Sequence, residues 1–484
     1  MRRTAREWWD TQWFAAVAIL LVCVPLLWPA VPPLTDLPGH IGRYRMMLDG
    51  GIGPLAEWYR FHWRLVGNMG ADLIVAAIGP LTGPEPAAKL VTILTVALTA
   101  TGCLWLSRVV NGRISPFALF ALPLVYNHPF HTGFLNFALA MALALNALAL
   151  WLTLAGWRWR GLVFVPVALA VWTAHVFGWA VLGLLILAAE LARTPRPRAL
   201  PALWPLAAPL VPMLAWRAAS GGATFGFVDC QAKLLALLMA FRDRWLAVDV
   251  ATLVTVVLVL GLAIRARVPS ARPLAWGSLA LLAAFIALPS WLFGSAFADM
   301  RLAPWVLIVA LLALGAPRTR ARAIAVLGLA FMLARLAATT VSLTLAAQEQ
   351  ERALAALDRV PVGARILLLA SPECADPWRM ARLDHLGGLA LARRRAFAND
   401  QWPDIGASLM TTRHPAAGAF ASDPSQLLPC DGGTVLRHRL AGFPRAAFDY
   451  VWLVGVPDAP RAIPGAIPVW RDGDRALYRV EQGY

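Results

Sequence analysis

The sequence predicts an α-helical polytopic membrane bundle of about eleven transmembrane helices, followed by a C-terminal α/β domain. Three observations predict it. Charged residues make up 14% of the 484-residue chain and hydrophobic residues 59%, where soluble domains carry about 25% charged residues. The deficit is concentrated between Trp13 and Ser342, where apolar stretches near spanning length recur, whereas residues 346–484 have an ordinary composition. Arginines cluster at alternate junctions between the apolar stretches. The expected division is a bundle over 1–345 and a separate domain over 346–484.

A spanning helix needs roughly 20 mostly apolar residues. Such stretches lie near 13–31, 87–107, 114–130, 134–155, 161–175, 177–192, 201–219, 246–264, 274–293, 302–316 and 323–343. The first is read as an uncleaved helix and not a signal peptide, because cleavage after Ala30 would put bulky Trp28 where a small residue is required. The clusters are Arg2/Arg3/Arg6, Arg108/Arg113, Arg158/Arg160, Arg193/Arg196/Arg198, Arg265/Arg267/Arg272 and Arg318/Arg320/Arg322. All fall on the N-terminal side of this assignment, which the positive-inside rule makes the cytoplasm. An odd number of crossings then puts the tail outside. The net charge of +16 therefore reads as an orientation signal in contact with a lipid bilayer, and no basic face for nucleic acid is expected.

The first outer loop, 32–86, is long and carries Trp58, Tyr59, Phe61 and Trp63, so short amphipathic helices lying in the interface are expected there. A second outer loop runs from Arg217 to Val248. In the tail, Ala364–Ser371, Phe448–Gly455 and Ala476–Val480 are strand-like runs, and a helix is expected over Arg379–Arg395. Cys374 and Cys430 both lie in the tail, where an oxidising compartment would let them pair. No Walker loop, dinucleotide fingerprint, zinc-ligand spacing or nucleophile elbow occurs.

Asp36 directly follows the first apolar stretch. Pro38 then opens a short helix on which His40, Arg43, Tyr44 and Met47 share a face. An acid beside cations at the outer surface suits group transfer from a phosphate-linked donor: the carboxylate takes a proton from the acceptor and the cations hold the departing phosphate. The plainer alternative is that Thr35 or Asp36 caps the helix while Arg43 and Arg45 meet lipid headgroups. Asn127, His128 and His131 mark one outer turn and His175 another; they line a sugar or phosphate site or serve as interface packing. Asp299 and Arg301 open a late helix from outside, as a phosphate clamp or a local pair. Arg335, about 8 Å from the outer boundary, is read as snorkelling. Arg217, Lys233, Arg242, Asp243 and Arg244 read as a solvated run or as the rim of a lipid-phosphate groove, with Asp243 the candidate for a second acid. In the tail, Asp384-His385 and Arg393–Arg395 stand out, but no nucleophile occurs at a recognisable spacing, so the tail is expected to cover a site or bind an acceptor.

An acid just after the first helix, a long first outer loop with interfacial helices and an α/β tail outside resemble the C-type (GT-C fold) membrane glycosyltransferases. The resemblance implies a bacterial inner-membrane, multi-pass enzyme, N-terminus cytoplasmic and tail periplasmic. It implies inverting transfer of a sugar from a polyprenyl-phosphate donor to an envelope acceptor, with Asp36 as base and His40, Arg43 and Arg301 on the donor phosphate. Asn127, His128, His131, His175 and Asp299 are then substrate-binding. Many members carry two adjacent acids where this chain has Asp36-Leu37, which leaves a divalent cation open. The competing expectations are a polyprenyl-linked glycan ligase or polymerase, and a non-catalytic envelope transport or scaffold protein.

Overall fold

The computed structural model describes residues 7–193, 199–215, 224–227, 229–292, 296–317, 319–403, 407–457 and 459–482. Arg2, Arg3, Arg6, Arg196, Arg198, Arg217 and Arg318 lie outside the described residues.

Among these residues, five helices are long and apolar enough to cross a membrane: Pro84–Asn111, Leu135–Thr153, Val176–Arg193, Leu246–Arg265 and the helical run Ala321–Arg359. Six further apolar helices, Gln12–Leu26, Gly70–Thr82, Arg160–Ala174, Cys230–Phe241, Arg272–Ala287 and Ala303–Ala313, are shorter. Among the described residues, five of the eleven stretches expected to span thus do so by length. Proline accounts for several of the breaks, since it lacks an amide hydrogen and clashes with the preceding turn. The stretch 114–130 contains Pro116, Pro123 and Pro129, and forms Ala118–Ala121, a 3₁₀ turn at Leu122–Tyr126 and His128–Thr132. Pro25 sits in the 3₁₀ turn that ends the first helix, and 201–219 opens as a proline-containing 3₁₀ helix over Pro201–Ala207.

The chain forms two compact units. One comprises Met1–Trp28, Leu65–Ala71 and Thr92–Ser342; the other comprises Pro29–Arg64, Asp72–Val91 and Leu343–Tyr484. Compared with a division at 345/346, most of the first outer loop belongs with the tail. The second unit holds a five-stranded sheet in the order β3–β2–β5–β7–β6, made of β2 (Arg365–Ala370), β3 (Phe397–Ala398), β5 (Tyr450–Val454), β6 (Ala466–Asp472) and β7 (Arg475–Val480). β2 runs parallel to β3 and β5, while β7 is antiparallel to β5 and β6. The central strands β2 and β5 are buried along nearly their whole length, as their uninterrupted apolar runs require. The loop joins this unit through backbone pairing and packing: β1 (Tyr59–Phe61) pairs antiparallel with β4 (Met410–Thr412), and Met46, Leu55 and Tyr59 enter the same apolar core as Leu367, Phe397 and Val451. Trp58 and Tyr59, expected at headgroup level, pack on Phe397 at 6.0 and 5.6 Å. The arginine run is structural: Arg393 forks onto Glu85, Arg394 meets Asp358 and Arg395 meets Asp49.

Cys374 and Cys430 form a disulfide across a sequence separation of 56 residues. Closing a loop of that length restricts the unfolded chain by about 4 kcal/mol in the chain-entropy model. Replacing both cysteines by serine is expected to lower the denaturant midpoint of the second unit's transition, read by tryptophan fluorescence of the full chain; an unchanged midpoint contradicts the expectation.

Candidate functional site

The second unit contains Asp36, His40 and Arg43; the first contains Asn127, His128, His131, His175, Asp299 and Arg301.

In the second unit the helix Leu37–Leu48 begins with Pro38 in its first turn, as expected. Asp36 occupies the N-cap position, but its side chain makes no capping bond. The carboxylate instead faces a histidine: Asp36 Oδ1 lies 3.7 Å from His385 Nε2, an ion-pair separation, and both groups are mostly buried. The other imidazole nitrogen, Nδ1, is 2.7 Å from the Asp400 carbonyl oxygen. The Trp402 ring packs on His385 at 4.7 Å and on His40 at 4.9 Å.

Glycines bring these groups together. The helices Leu37–Leu48 and Gly387–Arg394 cross so closely that a methyl group on Gly388 would stand 2.1 Å from the Pro38 carbonyl oxygen, and one on Gly42 would stand 2.9 Å from the Gly388 carbonyl. The expected helix over 379–395 is accordingly short. Residues before Gly387 form turns, with Asp400 Oδ2 accepting the Gly388 N–H at 3.0 Å. Those turns let Arg382 donate to the Pro33 carbonyl and aim His385 at Asp36. The obstructing atoms at Gly388 are backbone and cannot rotate away, so Gly388→Ala is expected to cost about 3 kcal/mol or more. Thermal unfolding of the purified protein would show it as a lower midpoint, and a wild-type midpoint would mean the crossing is not this tight.

Carboxylates crowd the imidazole. Burial disfavours charge on His385, but Asp36, Asp400, Asp423 and Asp384 outweigh it and raise its pKa above the ordinary imidazole value. Burial pushes the Asp384 carboxyl up to about 7, reinforced by Asp36 and Asp423 and opposed by His385. Asp400 is likewise pushed by burial up to about 6, against His385 and the Gly388 N–H. The site thus sets the Asp36 carboxyl against an imidazole whose charged form the surrounding carboxylates favour, with Asp384 and Asp400 carboxyls raised by burial.

Several expected roles change. Arg43 was assigned to a donor phosphate, yet it is buried and paired with Asp72 at 2.8 Å. Asn127 caps the helix His128–Thr132, accepting the Phe130 N–H at 3.1 Å and donating to Leu124 O at 2.8 Å. His128 contacts Thr132 Oγ1 at 3.3 Å within that short helix. His131 is fully buried, with Nε2 3.9 Å from Asp243. Asp243 is no solvated residue: it accepts from Ser342 Oγ at 2.7 Å, and its N–H donates to Asp249 at 2.8 Å. Arg335 does not snorkel; it is buried against Asp249 and donates to the Phe241 carbonyl. Asp299 pairs with Lys233 at 2.7 Å instead of Arg301, and Arg301 lies over the Phe134 ring at 4.2 Å. His175 Nδ1 accepts the Phe177 N–H at 3.1 Å, closing a turn between helices. Among the described residues, no three His, Cys, Asp or Glu side chains are grouped to hold a metal ion.

Sequence reasoning singled out Asp384-His385 without giving the pair a role, and passed over Asp400 and Trp402. The adjacent Asp384-His385 was the available signal, but its partner Asp36 lies at the other end of the chain. Comparison with family models, curated proteins and solved structures gives no match.

Proposed function

We propose that the chain is a membrane glycosyltransferase that moves a sugar from a polyprenyl-phosphate donor to an envelope acceptor on the non-cytoplasmic face of a bacterial inner membrane. Asp36 is the base. Its carboxylate takes the acceptor hydroxyl proton while the acceptor oxygen bonds to the anomeric carbon from the face opposite the phosphate. The anomeric carbon–oxygen bond to phosphate breaks, and the polyprenyl phosphate leaves with the electron pair. His40 is the imidazole offered to that phosphate. One observation carries the reading: the Asp36 carboxylate makes no cap bond and sits 3.7 Å from an imidazole. A carboxylate held in this way is suited to proton abstraction. The likeness to C-type glycosyltransferases, in which an acid follows the first helix, supports it. The tail disulfide and the arginine distribution support an oxidising, non-cytoplasmic setting.

The test uses the purified protein in proteoliposomes with an envelope lipid extract as acceptor, offered either polyprenyl-phosphate-linked hexoses or nucleotide-linked hexoses. The expected result is release of polyprenyl phosphate with glycosylation of the extract. Consumption of the nucleotide sugars alone, or of neither donor, contradicts the proposal.

A further inference from the structure

The geometry around His385 constrains its protonation. A carbonyl oxygen only accepts, so the 2.7 Å contact with Asp400 O makes Nδ1 the protonated nitrogen. In the neutral ring Nε2 would then turn a lone pair toward the Asp36 carboxylate 3.7 Å away, and the contact would be repulsive. In the imidazolium Nε2 carries a proton and the contact becomes attractive. A histidine serving only to fill the core would not need its second nitrogen aimed at a carboxylate. The ring has little freedom to turn, with Trp402 packed on it at 4.7 Å and Asp400 tied to the Gly388 N–H.

We propose that His385 is a positioning residue for Asp36: as the imidazolium it holds the carboxylate ionised and oriented for proton abstraction, so that the tail is part of the transfer machinery and not a cover over it. This inference rests on the proposed role of Asp36. The charged and titratable groups around the ring are Asp36 and His40 from the start of the loop helix, Arg382 and Asp384 from its own turn, Asp400 from the segment after β3, and Asp423 from the following loop. The carboxylates among them favour the charged ring. The stabilisation from this pairing is fully present below the ordinary imidazole pKa and is lost as pH rises through the raised value. Transfer therefore has an alkaline limb set by deprotonation of His385.

Two measurements on the full-length protein test this. In the first, ring-labelled histidines are titrated by NMR. The chain has eight histidines, and the His385 signal is the one lost in His385→Asn, a change that keeps an N–H for the Asp400 carbonyl. This signal is expected to titrate above the ordinary imidazole value in the wild type and to move down in Asp36→Asn. An unchanged midpoint in Asp36→Asn overturns the proposal. This arm uses no substrate, so it decides the pairing even if the wild type transfers no sugar, a result that would sink the transferase reading separately. In the second, the pH profile of polyprenyl phosphate release is compared for wild type, His385→Asn and His385→Gln. The asparagine variant is expected to lose about 10–100-fold in kcat, as when an orienting partner of a reactive group is removed, with KM little changed and no alkaline limb. The glutamine variant, which restores an uncharged N–H donor near the Nε2 position, is expected to recover part of kcat, still without the alkaline limb. An alkaline limb that persists in both variants overturns the proposal.

Discussion

Asp36→Asn is expected to lower transfer from a polyprenyl-phosphate donor by about 10²–10⁴-fold, the range a positioned general base contributes. The amide is nearly isosteric but cannot take a proton at neutral pH. Folding should survive the change, because the amide keeps the shape of the side chain and Asp36 makes no capping bond to the helix it precedes. The control is an unchanged elution profile beside the lost rate, with the unfolding midpoint lowered only by the lost pairing with His385. A variant that transfers sugar at the parental rate removes Asp36 from the chemistry.

The second large effect is structural and lies in the first unit. Arg335 and Asp249 are an ion pair with almost no exposure of either side chain, on helices that are among those long and apolar enough to span a membrane. Truncating one partner leaves the other charge buried, which costs about 3–5 kcal/mol. Arg335→Ala strands Asp249, whose remaining contacts include the Asp243 N–H at 2.8 Å, and Asp249→Leu strands the guanidinium. Both single variants are expected to unfold at markedly lower temperature in detergent. The double variant Arg335→Met/Asp249→Leu removes both charges and is expected to recover most of the loss. Equal, additive losses in the double variant would show that the two residues do not act as a pair.

The parts of this fold that could be read from sequence are those set by contiguous residues. The runs around Leu367 and Val451 announce buried strands because these two central strands are apolar along nearly their whole length. The turn at Asn127 follows the local logic of a side-chain acceptor ahead of a proline-led helix. Span lengths were less legible, because hydropathy averages over a window, so single prolines such as Pro123 and Pro129 break the backbone while the surrounding apolar residues keep the average high. Two-residue β3 and three-residue β1 and β4 have no pattern long enough to show a period of two.

Apart from the Cys374–Cys430 disulfide, partners distant in sequence were not legible. Nothing around Arg43 points to Asp72, nothing around Arg335 points to Asp249, and nothing around Asp36 points to His385. Each of these pairs depends on how separate segments pack. In the last case the packing depends on glycines at Gly42 and Gly388, where the absence of a side chain lets two helices touch backbone to backbone. The carboxylate itself was legible from its place after the first apolar stretch, whereas the imidazole that faces it became visible only with the crossing of the two helices.

The most direct test of the account is the anomeric configuration of the transferred sugar, read by NMR after a single turnover with a polyprenyl-phosphate donor of defined anomeric linkage. With Asp36 as a base in one displacement, the product linkage is inverted relative to the donor and no sugar becomes bonded to the protein. A retained configuration, with a glycosyl ester trapped on Asp36, would make this carboxylate a nucleophile and contradict the account.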